Sequence, residues 1–256
     1  MAETDDQLAE RLAVAAGAIL LELRARGDLE GKALGQAGDE AANAMLCREL
    51  RAARPDDALL SEEEKDNVAR CARSRVWIVD PLDGTREYGE GRSDWAVHVA
   101  LAIDGVAAVG AVALPGLGAT LTSASPLSLG PPNHPPKMLV SRTRPAAEAV
   151  YVAEHLGADL VPMGSAGAKA MAVVRGEADI YLHTGGQYEW DNCAPAAVAA
   201  AAGLHVSRAD GSPLRYNNAD TYLPDLLICR KELAETVLRL ARAYGAGGVK
   251  GFGVIQ

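Results

Sequence analysis

Asp80-Pro81-Leu82-Asp83-Gly84-Thr85 follows the short apolar run Arg75–Val79, which has the length and composition of a buried strand. Proline cannot donate to a ladder, so the strand is expected to stop at Asp80-Pro81. An isolated Asp-Gly pair marks an ordinary turn. Here two carboxylates, a stiff proline, a glycine and a hydroxyl fall within six residues. Proline fixes the turn so that both acids point at one place, and glycine lets the backbone come close to a ligand. A helix opening near Thr85 would turn its free N–H groups toward an anion.

Two further stretches place acids at element ends. Upstream, Leu59-Leu60-Ser61 runs into Glu62-Glu63-Glu64; downstream lies Trp190-Asp191-Asn192-Cys193-Ala194. Taken singly, the first reads as a solvated helix face, and the second as a helix N-cap beside a core tryptophan.

The chain is long enough, at 256 residues, for one large domain or two small ones. Aromatics make up only 4% of residues and alanine is abundant, so the core should be aliphatic and helix-rich. A net charge of -9 with no basic stripe excludes a nucleic-acid partner. An acidic protein that holds an anion needs a bridging cation, and bound metal would supply it. Cys47, Cys71, Cys193 and Cys229 form no CxxC pair, which suits reduced thiols in a cytoplasm rather than zinc or disulfides. The acidic start, Met-Ala-Glu-Thr-Asp-Asp, is not a signal peptide, and no apolar run has membrane-spanning length.

Apolar spacing predicts a helix from about Thr4 to Arg26 and another from Asp39, as N-cap, to about Arg54. Trp95–Ile103 and Val106–Leu114 flank Asp104-Gly105, a hairpin signal, and Ala119–Ala124 adds a strand. Five prolines between Pro126 and Pro136 read as a linker. Strands at Lys137–Ser141, Leu160–Met163, Asp179–His183 and Leu226–Cys229 then alternate with helices ending near His155 and Val174, an alanine-rich helix after Asp191, and a final helix. The expectation is an α+β domain with an antiparallel sheet over 1–130 and an α/β domain over 137–256. The glycine-rich tail from Ala246 carries no reading.

Asp-Pro-Leu-Asp-Gly-Thr-x-x-Tyr, complete from Asp80 to Tyr88, and Trp-Asp-x-Cys-Ala, complete from Trp190 to Ala194, resemble the two signatures of the inositol monophosphatase superfamily of metal-dependent phosphatases. The resemblance covers most of the chain. It implies a layered αβαβα sandwich of the inositol monophosphatase and fructose-1,6-bisphosphatase type, the first domain holding metal and the second completing the substrate site. It also implies two or three Mg²⁺ per site. Glu62, Asp80 and the Leu82 carbonyl would hold one ion; Asp80, Asp83 and Asp191 a second; a third would touch Glu62, with Glu63 in an outer role. Thr85, bonded to Asp39, would orient the attacking water, with Glu62 in the same catalytic group. Gly84 and Thr85 would offer backbone N–H groups to the phosphate, with Asp191 among the substrate contacts. One departure stands out: Gln36 takes the place of the threonine that the family carries before Asp39.

The chemistry agrees with the resemblance. Mg²⁺ takes hard oxygen ligands, and gathered carboxylates without a cation would repel one another and rise in pKa. Direct attack by water, with no phosphoenzyme, is expected. Cys193, with no basic partner nearby in sequence, reads as a packing residue.

Three segments resemble the 3′-phosphoadenosine 5′-phosphate phosphatase branch: Val140-Ser141-Arg142-Thr143-Arg144, Gly164-Ser165 followed by Lys169 (one residue longer than in that branch), and Pro213-Leu214-x-Tyr216-Asn217. Thr184 stands where inositol-specific members carry a glutamate. Arg142, Arg144 and Lys169 are therefore expected to hold a retained 5′-phosphate, since Arg suits phosphate. This branch implies hydrolysis to AMP and phosphate in sulfate assimilation, lithium sensitivity and a cytoplasmic homodimer; activity on inositol 1-phosphate or fructose 1,6-bisphosphate is the alternative. A haloacid-dehalogenase-type phosphatase spaces its acids two apart, whereas Asp80 and Asp83 are three apart. A regulatory protein without turnover would not need the intact acid set.

Overall fold

The computed structural model describes residues 3–246. Its elements are α1 (Asp5–Arg26), α2 (Gly31–Ala53), β1 (Ala58–Ser61), β2 (Arg75–Asp83), α3 (Thr85–Gly89), β3 (Ala96–Ile103), β4 (Val106–Leu114) and β5 (Ala119–Thr122). After the proline-rich connection come β6 (Lys137–Ser141), α4 (Ala147–Leu156), β7 (Asp159–Met163), α5 (Ala166–Val174), β8 (Ile180–His183) and β9 (Gln187–Tyr188). The chain continues through α6 (Glu189–Ala201), β10 (His205–Ser207), β11 (Tyr222–Leu223), β12 (Leu226–Cys229) and α7 (Lys231–Ala246).

Sequence chemistry sets the element ends. Thr4 and Gln7 form a capping box at the start of α1, acids fill its first turn, and Gly27 closes it in the left-handed conformation at φ 70°. Asp104 (φ 51°) and Gly105 (φ 76°) make the tight β3–β4 turn that their side chains permit.

One five-stranded sheet has the order β1-β2-β3-β4-β5; a second has the order β10-β12-β8-β6-β7, and β9 and β11 form a small ribbon. Alternation along β2 and β3 assigns the faces of the first sheet. Trp77, Val79, Val97 and Val99 pack against α1 and α2 together with Leu12 and Leu46. Val76, Ile78, Ala96 and Ala100 join Met171 of α5, Val198 of α6 and Tyr181 and Ile228 of the second sheet in one central core. The far face of that sheet buries Leu182 and Leu227 against Val152 of α4 and Val237 of α7. Three apolar cores, the central one filling both sides of the α5–α6 layer, join five layers into the αβαβα sandwich.

Small residues bring the central layer close to the first sheet. A Cβ on Gly110 of β4 would lie 2.6 Å from the Ala194 carbonyl and 2.8 Å from the Ala197 Cβ, both on α6. Backbone cannot yield cheaply, so Gly110→Ala is expected to destabilise the fold by about 1–3 kcal/mol in chemical denaturation. It should also shift α6, which carries Asp191.

Three boundaries differ from the sequence reading. β2 runs on through Pro81 to Asp83, because the register with β3 shifts between Asp80 and Asp83, and a bulge tolerates a residue without an N–H. α2 opens at Gly31, so Asp39 lies inside the helix rather than at its N-cap. Gly31, Gly35 and Gly38 weaken the local helix signal, and tertiary contact overrides them: Gly35 faces Thr85, and Gly38 faces Leu20, Leu82 and Tyr88. α6 opens two residues before Asp191, which is its third residue. The glycine-rich tail after Ala246 falls outside the described residues.

Candidate active site

β1 and β2 run parallel with Ser61 opposite Val79, so the chain leaving β1 delivers Glu62 beside Asp80. The Glu62 N–H donates to the Val79 carbonyl at 3.3 Å. The β2 bulge then places Asp80 opposite His98 and Asp83 opposite Ala96. α6 brings in Asp191, whose Oδ2 accepts the Tyr188 N–H at 2.6 Å. Oxygens of Asp80, Asp83 and Asp191 lie within 4.8 Å of one another.

Burial and mutual repulsion show in the titration of these acids. Burial, then Glu62, Asp83 and Asp191, push the Asp80 carboxyl well above the usual range. Glu62 presents part of its surface to solvent, yet desolvation of its carboxylate, with Asp191 next, raises it to about 7. Burial, then Asp83, lifts Asp191 to about 6. Asp83 behaves oppositely: burial pushes it up, but bonds from His98, Ser165 and Gly167 win and hold it near about 2. Among the described residues, no Lys or Arg bonds Glu62, Asp80 or Asp191. A set of carboxylate oxygens and a backbone carbonyl, destabilised by its own charge, fits a hard divalent cation such as Mg²⁺.

The turn beyond the acids is tightly bonded. Asp80 Oδ1 accepts the Leu82 N–H at 3.0 Å, and the Thr85 hydroxyl donates to the Leu82 carbonyl at 3.1 Å. Asp39 reaches the same turn from the middle of α2. Burial, followed by Glu63, raises Asp39 to about 7, with the nearby Thr85 hydroxyl acting in the lowering direction. Asp39, Glu63, Thr85, Gln36, Lys32 and Arg86 border a cavity of ≈ 630 Å³. Gln36 is exposed and donates to Glu40 at 3.0 Å, so it takes no part in holding Asp39.

The three expected phosphate cations have different surroundings. Arg142 bonds Glu87 at 2.8 Å and Glu90 at 2.9 Å, tying the end of β6 to α3. Lys169 is buried, and its ammonium donates to the carbonyls of Ser165 (2.6 Å), Gly164 (3.1 Å) and Met163 (3.4 Å). Only Arg144 is exposed with no ion-pair partner among the described residues. Tyr216 is buried and donates to Asn192 Oδ1 at 2.9 Å, which makes it a packing residue behind α6. Cys193 is fully buried, as its small size allowed.

Sequence reasoning missed His98. Fully buried on the central face of β3, it lies 3.3 Å from Asp83 Oδ2 through Nε2 and 2.9 Å from the Trp190 carbonyl through Nδ1. Its signal was a histidine inside an otherwise apolar strand, in phase with the small residues that face the centre.

Solved structures of the same architecture cover nearly the whole chain. Inositol monophosphatase II from Staphylococcus aureus superposes with a TM-score of 0.78 at 18% identity, covering 94% of this chain and 96% of that one. CysQ from Bacteroides thetaiotaomicron gives 0.76 at 24% identity, with 90% and 98% covered. Fold and acidic site agree with a phosphatase, the class that curated relatives at about half identity name. The inositol monophosphatase family model matches residues 1–130 and 131–246, and the chain belongs to that family. A curated relative from Mycobacterium leprae, a 3′-phosphoadenosine 5′-phosphate phosphatase, is 49% identical over 255 residues, covering 93% of this chain and 94% of its own. The Escherichia coli K12 3′(2′),5′-bisphosphate nucleotidase CysQ is 31% identical over 199 residues, covering 73% and 81%.

Proposed function

We propose that the protein hydrolyses 3′-phosphoadenosine 5′-phosphate to AMP and phosphate in a Mg²⁺-dependent reaction. The gathering of Glu62, Asp80, Asp83 and Asp191, with only His98 beside them and no Lys or Arg bonded to them among the described residues, carries the chemistry, and the half-identical relative indicates the substrate. Glu62, Asp80, Asp83, Asp191 and the Leu82 carbonyl would hold the ions. Bound Mg²⁺ neutralises the acids, makes water a better nucleophile and offsets charge on the ester. Asp39, raised to about 7, is suited to accept a proton near neutral pH, and Thr85 between it and the Leu82 carbonyl orients the water. The N–H groups of Gly84 and Thr85 would meet the transferred phosphate. Residues 1–130 would thus supply every proposed metal ligand except Asp191, which comes with the substrate site from the second half of the chain.

Two features favour a nucleotide over a sugar phosphate. Exposed Tyr188 stacks on Trp190 at 4.9 Å, and Tyr222 stands edge-on to it, so aromatic faces suited to a base lie beside Asp191. Thr184 presents no carboxylate for a sugar hydroxyl. With Arg142 and Lys169 engaged elsewhere, Arg144 is the residue for the 5′-phosphate. Arg144→Ala should raise KM for the nucleotide about tenfold, the loss of one charge-assisted bond. Its kinetics on inositol 1-phosphate should not change. Steady-state assays on both esters check this.

Such an enzyme, acting in the cytoplasm as a lithium-sensitive homodimer, would clear a by-product of sulfate activation. Phosphate release with Mg²⁺ from the nucleotide, inositol 1-phosphate and fructose 1,6-bisphosphate tests the whole reading. The nucleotide should show the highest kcat/KM. Preference for either sugar ester would overturn the substrate, and absence of release from all three would overturn the reaction.

A further inference from the structure

We infer that Lys169 is a positioning residue: its ammonium ties the Met163–Ser165 turn so that the first turn of α5 presents Asp83 to the metal cluster. The inference rests on the proposed role of Asp83 as a metal ligand.

The placement of Lys169 is costly on general grounds. It is 6% exposed, sits in the first turns of a helix where the macrodipole disfavours a cation, and has no carboxylate within ion-pair distance among the described residues. Its compensation comes from the carbonyls of Met163, Gly164 and Ser165 and from the Tyr181 ring, 5.3 Å away. Three carbonyls converging on one point repel one another unless a cation sits between them. The turn they build contains Ser165 at φ 48°, a conformation that a side chain rarely adopts and that persists only where its surroundings enforce it. A second tie is the Gly164 N–H, which donates to Asp94 at 2.8 Å.

That turn holds Asp83. Oδ2 accepts the Ser165 hydroxyl and, at 2.6 Å, the Gly167 N–H, with His98 Nε2 at 3.3 Å. Among the described residues Oδ1 accepts only the Ala166 N–H, at 3.1 Å. A carboxylate oxygen has two lone pairs. Oδ2 is therefore saturated, and Oδ1 keeps one lone pair free for an ion. The cradle has no slack, because a Cβ on Gly167 would come 2.0 Å from His98 Nε2. Removing the ammonium lets the carbonyls spread, Ser165 move off Asp83 and the carboxylate lose its fixed orientation.

Calorimetric titration of the metal-stripped protein with Mg²⁺ alone reads this directly. Lys169→Met and Ser165→Ala should each weaken Mg²⁺ about tenfold, and the double variant should be no worse than either single one, because both act through one turn. Lys169→Gln, which keeps one donor, should fall between and serves if Lys169→Met does not fold. Activity on the nucleotide and on inositol 1-phosphate should drop by the same factor in Lys169→Met. Wild-type Mg²⁺ affinity in the Lys169 variants, multiplying losses in the double variant, or a loss confined to the nucleotide would each overturn the inference. Asp83→Asn separates the layers: unchanged Mg²⁺ affinity there removes the ligand role itself, whereas a loss there with normal Lys169 variants removes only the role of Lys169.

Discussion

Asp80→Asn is expected to lower kcat/KM at high Mg²⁺ by about 10³-fold or more, equivalent to about 4 kcal/mol of transition-state stabilisation. The same change should stabilise the metal-free protein at pH 8. Both effects follow from one property of the site. Asp80 is the acid that burial and three neighbouring carboxylates oppose most, so its charge is a liability until a cation arrives. Asparagine keeps the shape and still accepts the Leu82 N–H that Asp80 Oδ1 accepts at 3.0 Å. It would carry no negative charge for the proposed ions to bind. Phosphate release measures the loss, and thermal melting in a chelator measures the gain. Retained activity would remove Asp80 from the proposed chemistry. A lower melting temperature in the chelator would show that the acids do not repel as the geometry implies. Few substitutions separate function from stability in opposite directions, and this one should do so because the site is built to be uncomfortable without metal.

How much of this was legible beforehand depended on whether the signal was local. The Asp80–Thr85 turn and the Trp190–Ala194 stretch were readable because each packs its chemistry into a few consecutive residues. The β3–β4 hairpin was readable because Asp104-Gly105 fixes its own turn. Asp39 was found as a residue but placed at the wrong point of its helix. Gly35 and Gly38 look like helix breakers locally, and only their contact with Thr85, Leu82 and Tyr88 explains them. His98 escaped because its role arises from strand register, which sets it opposite Asp80 and within reach of Asp83. Arg142 and Lys169 were readable as cations, but their targets, Glu87 and Glu90 for one and three carbonyls for the other, depend on how the second sheet meets the first. The sheet order itself, with β12 alone reversed between β10 and the parallel β8, β6 and β7, likewise has no local signature.

Without Mg²⁺ the protein is expected to lose stability as pH rises from about 4 to 8, and saturating Mg²⁺ should reverse the part of that slope that comes from Glu62, Asp80 and Asp191. Glu62 and Asp39 are raised to about 7, Asp191 to about 6, and Asp80 well above the ordinary range, all with burial as the largest cause. In the unfolded chain these groups titrate near about 4. Across that window the folded state therefore binds more protons, so the contribution of these four groups is complete below about pH 4 and drains as each folded-state pKa is passed. Asp191 alone, raised to about 6, corresponds to about 3 kcal/mol. Glu62 adds less than its shift suggests, because solvent screens its exposed side. Asp83, held near about 2, works the other way: its contribution is present above about pH 4 and lost as pH falls toward 2. The metal-free optimum should thus lie near pH 4–5, with the melting temperature about 10 °C lower at pH 8. Mg²⁺ reverses the balance, because ligands must be deprotonated to bind it and binding only the folded state stabilises by mass action. Melting scans from pH 5 to 8, in chelator and in Mg²⁺, read both slopes. Parallel slopes would mean that the four carboxylates do not share an ion, whereas curves that diverge with rising pH tie the titration to the metal. Asp80→Asn should flatten the chelator curve, since the group that repels its neighbours most would then carry no charge at any pH.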